Sequence, residues 1–140
     1  MCIRDDFNGL NASKMAKNTR KIGDIGERIA CEYLVKNGFS ITTRNYRKSW
    51  GEIDIIANKD SLIHFIEVKS VGFEGSYLDS HHPEENVHGW KMKQIRKMIQ
   101  TYLDEYDKGL DIEFAFHVIC VYLNFETKRA KVKMIENIIL

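Results

Sequence analysis

Two short runs limit what this chain can fold into: Gly51-Glu52-Ile53-Asp54-Ile55-Ile56 and Ile63-His64-Phe65-Ile66-Glu67-Val68-Lys69. Both are rich in β-branched or aromatic residues, and the polar stretch Asn58-Lys59-Asp60-Ser61 separates them, which predicts a β-hairpin. Side chains alternate across a strand, so Ile63, Phe65, Glu67 and Lys69 share one face while Leu62, Ile66 and Val68 share the other. The second strand therefore starts apolar on both faces, as a covered strand should. One face then turns charged at its far end. The first strand does the reverse, with Glu52 and Asp54 ahead of Ile56. With residues 58–61 as a four-residue turn, 57 pairs with 62, 54 with 65 and 52 with 67. Glu52, Asp54, Glu67 and Lys69 then gather at one end of one face, and a slip of one residue would separate them.

Three carboxylates crowded this closely repel, and desolvating them costs roughly several kcal/mol unless a cation compensates. A divalent ion held by Asp54 and Glu67 would do so, since hard ions such as magnesium or manganese take oxygen ligands. Lys69 beside it could orient a water or neutralise charge growing on a phosphate. The plainer reading is a salt-bridge cluster at a hairpin end, because Glu-x-Lys pairs are common in exposed sheets. Spacing alone leaves the two readings level.

An Asp followed on the next strand by Glu-x-Lys resembles the metal site of the restriction-endonuclease-like, or PD-(D/E)XK, nuclease superfamily. Within it, the ordered set Gly26-Glu27-Arg28-Ile29-Ala30, Tyr33-Leu34, Gly38, Asn45-Tyr46-Arg47, Gly51 to Ala57 and Phe65 to Lys69 resembles the YraN-like family. Pro83 to Val87, Lys93-Gln94 and Tyr102-Leu103 continue the likeness, which covers about residues 19–106. It implies an α/β fold with a restriction-endonuclease-like core, a central mixed β-sheet flanked by helices. It also implies a magnesium- or manganese-dependent endonuclease acting on DNA. Asp54 and Glu67 would ligate the metal with the Val68 carbonyl as third oxygen, and Lys69 would act on the water. Glu27, otherwise an ordinary helix acid, would face the site. Gln94 would bond a phosphate oxygen or a water there. The chain departs from the family pattern at Ala115-Phe116-His117, where the likeness calls for Arg-Phe-Asp. His117 reads as a hydrogen-bonded strand residue.

The remaining sequence predicts an N-terminal arm over 1–18 and a domain over 19–140. Ile22, Ile25, Ile29, Tyr33 and Leu34 recur at helical spacing over 19–37, and Gly38 supplies a left-handed stop. Phe39 to Tyr46 predicts an edge-like strand, with Trp50 beyond it as a packing or loop anchor rather than a base-stacking platform and Gly51 a bend or close approach. Residues 70–89 read as a loop carrying His81, His82 and His88, with no second cluster to complete a zinc site. A helix over 89–106 follows, its buried stripe Met92, Ile95, Met98, Ile99, Tyr102, Leu103 and Tyr106. Strands are expected over 111–123 and 131–135.

No apolar run approaches the ~20 residues of a membrane span. The odd, scattered Cys2, Cys31 and Cys120 and the lack of a secretory layout point to reduced thiols in the cytoplasm. A net charge of +1 counts against a nucleic-acid binder, since Lys and Arg supply most of such affinity. The charge is uneven, however. Arg44, Arg47 and Lys48 precede the hairpin, and Lys91, Lys93, Arg96 and Lys97 fall in seven residues without an acid. The alternative to a nuclease is a non-catalytic nucleic-acid or protein-binding module on the same scaffold. Double-strand cleavage by one metal site would call for a homodimer or two visits.

Overall fold

The computed structural model describes residues 19–73, 89–106 and 112–140. Helix α1 (Thr19–Lys36) leads into strands β1 (Ser40–Lys48), β2 (Gly51–Lys59) and β3 (Leu62–Phe73). Helix α2 (Gly89–Tyr106) and strands β4 (Phe114–Asn124) and β5 (Arg129–Ile135) follow. The strands form one sheet in the order β1-β2-β3-β4-β5. β3 and β4 pair in parallel and every other pair is antiparallel. The protein is thus α/β, a five-stranded mixed sheet between two helices. Parallel neighbours need a crossover, and α2 lies in the β3–β4 connection.

Each helix covers one face. On the α1 face, Ile22, Ile25, Ile29 and Leu34 pack with Ile55, Ile66, Ile119, Val121 and Leu123. On the other, Ile95, Met98, Ile99 and Tyr102 of α2 pack with Ile56, Phe65, Phe116, Val118 and Tyr122. Cover on both faces explains why β4 is buried from Phe116 through Leu123. α1 ends where expected, with Gly38 at φ 89° and the Phe39 amide donating to the Leu34 carbonyl at 3.0 Å. Gly51 provides close approach, since a Cβ there would lie 3.1 Å from Met98 Cγ of α2.

Several expectations shift. The hairpin turn is two residues, Asp60 and Ser61, at φ 53° and 63°. Positive φ at both positions is what a type I′ turn requires. Asn58 and Lys59 therefore extend β2, pairing with Ile63 and Leu62. The register moves by two residues, which preserves every side chain's face. β3 continues to Phe73, so residues 70–73 are strand rather than loop. β4 begins at Phe114 and β5 at Arg129. Tyr106 is exposed instead of buried, stacking on Tyr102 with ring centroids 4.5 Å apart. The arm over 1–18 and the three loop histidines lie outside the described residues.

Candidate functional site

Ladder pairing between β2 and β3 runs from Lys59↔Leu62 to Ile55↔Ile66 and stops. Extending that register would set Asp54 opposite Glu67. Instead of continuing the ladder, the Val68 amide donates to Asp54 Oδ2 at 2.8 Å. The strands part here, and the Asp54 side chain bridges the fork. Asp54 and Glu67 are both buried, 7% and 6% exposed. Strand alternation turns Glu67 and Lys69 toward α2, between Phe65 and Val71 of the same cluster.

α2 adds a group that the motif reading missed. Lys91 Nζ lies 2.8 Å from Glu67 Oε1, closer than Lys69 Nζ at 3.7 Å. Lys93, to which the family likeness pointed, is exposed. A signal for Lys91 exists in the sequence. It stands four residues before Ile95 and seven before Met98, on the buried stripe, whereas Lys93 does not. Gln94 is exposed at the rim, lining a cavity of about 210 Å³ with Gly51, Glu52, Glu67, Lys91 and Ile95.

Burial pushes Asp54 from its usual 3.8 up to about 8, reinforced by the charge of Glu67 and opposed by the Val68 amide. Burial lowers the Lys69 ammonium, helped by neighbouring Lys91. Burial also works against the Lys91 charge, but Glu67 outweighs it and the net shift is upward. The two lysines therefore differ: Lys91 is held as a cation, and Lys69 more readily gives up its proton.

Glu27 on α1 is near enough for its charge to raise Asp54 further. Its own pKa is raised by burial, partly offset by Arg44. Arg44 Nη2 stays 3.9 Å from Glu27 Oε1, and that buried oxygen has no hydrogen-bond partner among the described residues. Glu67 Oε2 is likewise unpartnered. Glu52 is exposed and bonded by Arg47 Nε at 2.7 Å.

Among the described residues, no three Asp, Glu, His or Cys side chains converge tightly enough to enclose an ion. The donor set fits a hard cation that keeps several waters, as magnesium does. It consists of two buried carboxylates, one with an unpartnered oxygen, beside an open cavity. The structure thus brings Asp54, Glu67 and Lys69 together, adds Lys91, and puts Glu27 within electrostatic reach and Gln94 at the rim.

His117 lies on the opposite side of the sheet. Its Nε2 and His64 Nδ1 are 2.8 Å apart, and the Asn137 amide donates to its Nδ1 at 3.0 Å. That donor fixes both neutral tautomers. His117 Nε2–H donates to His64 Nδ1, and His64 Nε2–H points to the Lys59 carbonyl at 3.3 Å. Ala115-Phe116-His117 therefore belongs to this buried pair, as a hydrogen-bonded strand residue would.

A model of the uncharacterised protein family UPF0102 matches residues 26–121. A UPF0102 protein of Campylobacter lari is 38% identical over 124 residues, covering 89% of this chain and 98% of its own length. One from Clostridium botulinum is 40% identical over 111 residues, 79% of this chain and 86% of its own. No helix among the described residues is long and apolar enough to cross a membrane.

Proposed function

The chain belongs to the UPF0102 family, and we propose, from the chemistry of the fork, that it is a metal-dependent endonuclease hydrolysing phosphodiester bonds in DNA. The observation that carries the reading is the set Asp54, Glu67, Lys69 and Lys91 at the point where β2 and β3 part. Its order along the chain resembles the PD-(D/E)XK nucleases and the YraN-like family among them.

Asp54 and Glu67 would hold a magnesium or manganese ion, with the Val68 carbonyl as a further oxygen. Bound there, the cation supplies polarisation of the phosphate and a lowered pKa for the attacking water. Lys69, its ammonium already destabilised by burial and Lys91, orients that water and can take its proton. Lys91 keeps its charge and faces the phosphate oxygens from α2. Gln94 offers an amide to the same group at the cavity rim. Glu27 acts from the α1 side through its field on Asp54. Cutting both strands of a duplex would take two copies of the chain or two visits.

One observation favours a second reading, a non-catalytic binding module. Two ammonium groups already stand by Glu67, so its charge is compensated without a metal. Cleavage of single-stranded, duplex and branched DNA, in magnesium, manganese or chelator, separates the readings. The nuclease reading expects metal-dependent cutting that Asp54→Ala, Glu67→Ala and Lys69→Ala abolish while the fold persists. Full cutting by any of the three, or binding indifferent to chelator with no cutting, defeats it.

A further inference from the structure

Most of the basic residues that made the sequence look capable of holding a polyanion are already engaged. Arg44 faces Glu27, Arg47 pairs with Glu52, Lys48 with Glu105 and Lys91 with Glu67. Lys93, Arg96 and Lys97 form no ion pair among the described residues, and with Gln100 they line one open groove along the outside of α2. Their spacing of three, four and seven residues makes a single stripe. The stripe starts beside Gln94, which lines the site cavity. At its flank stands Trp50, in the β1–β2 turn. It is 41% exposed, with Lys97 Nζ 5.2 Å from its ring centroid.

We propose that this stripe and Trp50 form a track for one unpaired DNA strand, leading its backbone to Glu67 and Lys91. The track deepens the nuclease reading and rests on it for the strand's destination. From Lys91 to Gln100 a helix rises about 14 Å, a length matched by a few phosphates of a strand laid along it. Three cations on that length, without an ion pair among the described residues, suit a short stretch of backbone.

The indole selects for an unpaired strand. An aromatic ring gains by stacking on a base only where the base has an open face, which a continuous duplex withholds except at its ends. Lys97 over the ring is where a phosphate would meet it, so when a strand arrives the ammonium can turn to the backbone and free the indole face. The stretch from Gly89 to Gln100 carries no acid to oppose this, and Asp104 and Glu105 lie beyond it.

The test is fluorescence anisotropy of a labelled oligothymidylate and a blunt duplex of equal length, with the full chain in chelator across a salt series. The single strand should bind more tightly than the duplex, with a log–log salt slope near −2, about −0.7 for each of three phosphates. Replacing Lys93, Arg96 and Lys97 together by Gln should flatten that slope toward zero. Trp50→Ala should weaken single-strand binding roughly 5- to 150-fold and leave duplex binding unchanged, and Trp50→Phe should recover most of the loss. Tighter duplex binding, no single-strand binding, or equal affinity in Trp50→Ala overturns the track. Cutting of the same strand in magnesium is scored separately. Binding as described without cutting removes the nuclease reading and leaves the track. Cutting with Trp50→Ala binding like wild type does the opposite.

Discussion

The carboxylate pair at the fork should make the protein less stable than it could be, and Asp54→Asn should reveal by how much. Asp54 is buried, accepts one hydrogen bond from the Val68 amide, and faces Glu67 and Glu27, so its pKa rises from 3.8 to about 8. At pH 7 the unfolded chain holds this group ionised, while the folded chain must either protonate it or bury its charge. A displacement of about three pH units between 3.8 and 7 corresponds to roughly 4 kcal/mol at about 1.4 kcal/mol per unit. Asparagine keeps the acceptor for the Val68 amide and nearly the same volume. It gives up attraction to Lys69 and Lys91, whose charges Asp54 favours. The net gain should be about 1–3 kcal/mol at pH 7, a rise in Tm of roughly 3–12 °C for a domain of this size.

The sign with pH is fixed by the direction of the shift. A carboxyl whose folded pKa is raised binds more protons in the folded state, so stability falls as pH climbs from 3.8 to 8. Urea denaturation in chelator, followed by circular dichroism, should find wild type and Asp54→Asn alike at pH 4. The gap should then widen to a plateau near pH 8. If the site takes a divalent ion, magnesium at a hundred times its Kd adds about 3 kcal/mol to wild type and much less to the variant. A variant less stable than wild type at pH 8, or a gap independent of pH, would refute the reasoning.

Lys91→Met should destabilise the protein by about 1–3 kcal/mol in chelator, because it leaves buried Glu67 with the more distant Lys69 alone. Denaturation with added magnesium should recover most of that loss. Gly72→Ala should cost about 1–3 kcal/mol by overpacking, since its Cβ would run into the Phe125 ring with Ile22 behind it, and Phe125→Leu in the same chain should relieve part of it. Burial and neighbouring His64 lower His117 to about 4, with Glu136 opposing. Acidification from pH 6.5 to 4 should therefore protonate its Nδ1 and release the Asn137 amide, visible as a titrating Asn137 amide shift that His117→Phe abolishes.

The order of elements was legible because each carries its own period: 3.6 in the two helices, alternation or continuous apolar runs in the strands. Register was harder. Four polar residues in a row look like a four-residue turn, but Asp60 and Ser61 alone take positive φ, and nothing local announces that Asn58 and Lys59 stay extended. The motif survived because the error was an even number. Lys91 was missed for a different reason. It sits in a run of lysines, and only its phase against Ile95 and Met98 marks it as turned inward. The His64–His117 pair was beyond sequence reading, since its members are 53 residues apart and meet only through the parallel β3–β4 register. Neither the tautomer chain nor the tie to Asn137 leaves a local trace.

β3 therefore carries two buried ionisable groups of opposite character, Asp54 with Glu67 at the fork and His64 with His117 on the α1 face. Their effects on stability run against each other. As pH rises from 4 to 6.5, ionisation of Asp54 removes stability. Over the same interval His117, whose folded pKa lies below its usual 6.5, contributes stability, because the unfolded chain binds the extra proton. The Asp54 and His117 contributions should nearly cancel there, and of the two only the Asp54 loss should continue from 6.5 to 8. Flatness would thus be cancellation, and single variants can distinguish that from indifference to pH. Asp54→Asn should leave a curve that climbs to 6.5 and levels, and His117→Phe one that declines throughout. A wild-type optimum above pH 7 would mean that Asp54 is stabilised as an anion in the fold, and the fork would then hold its charge without needing a cation.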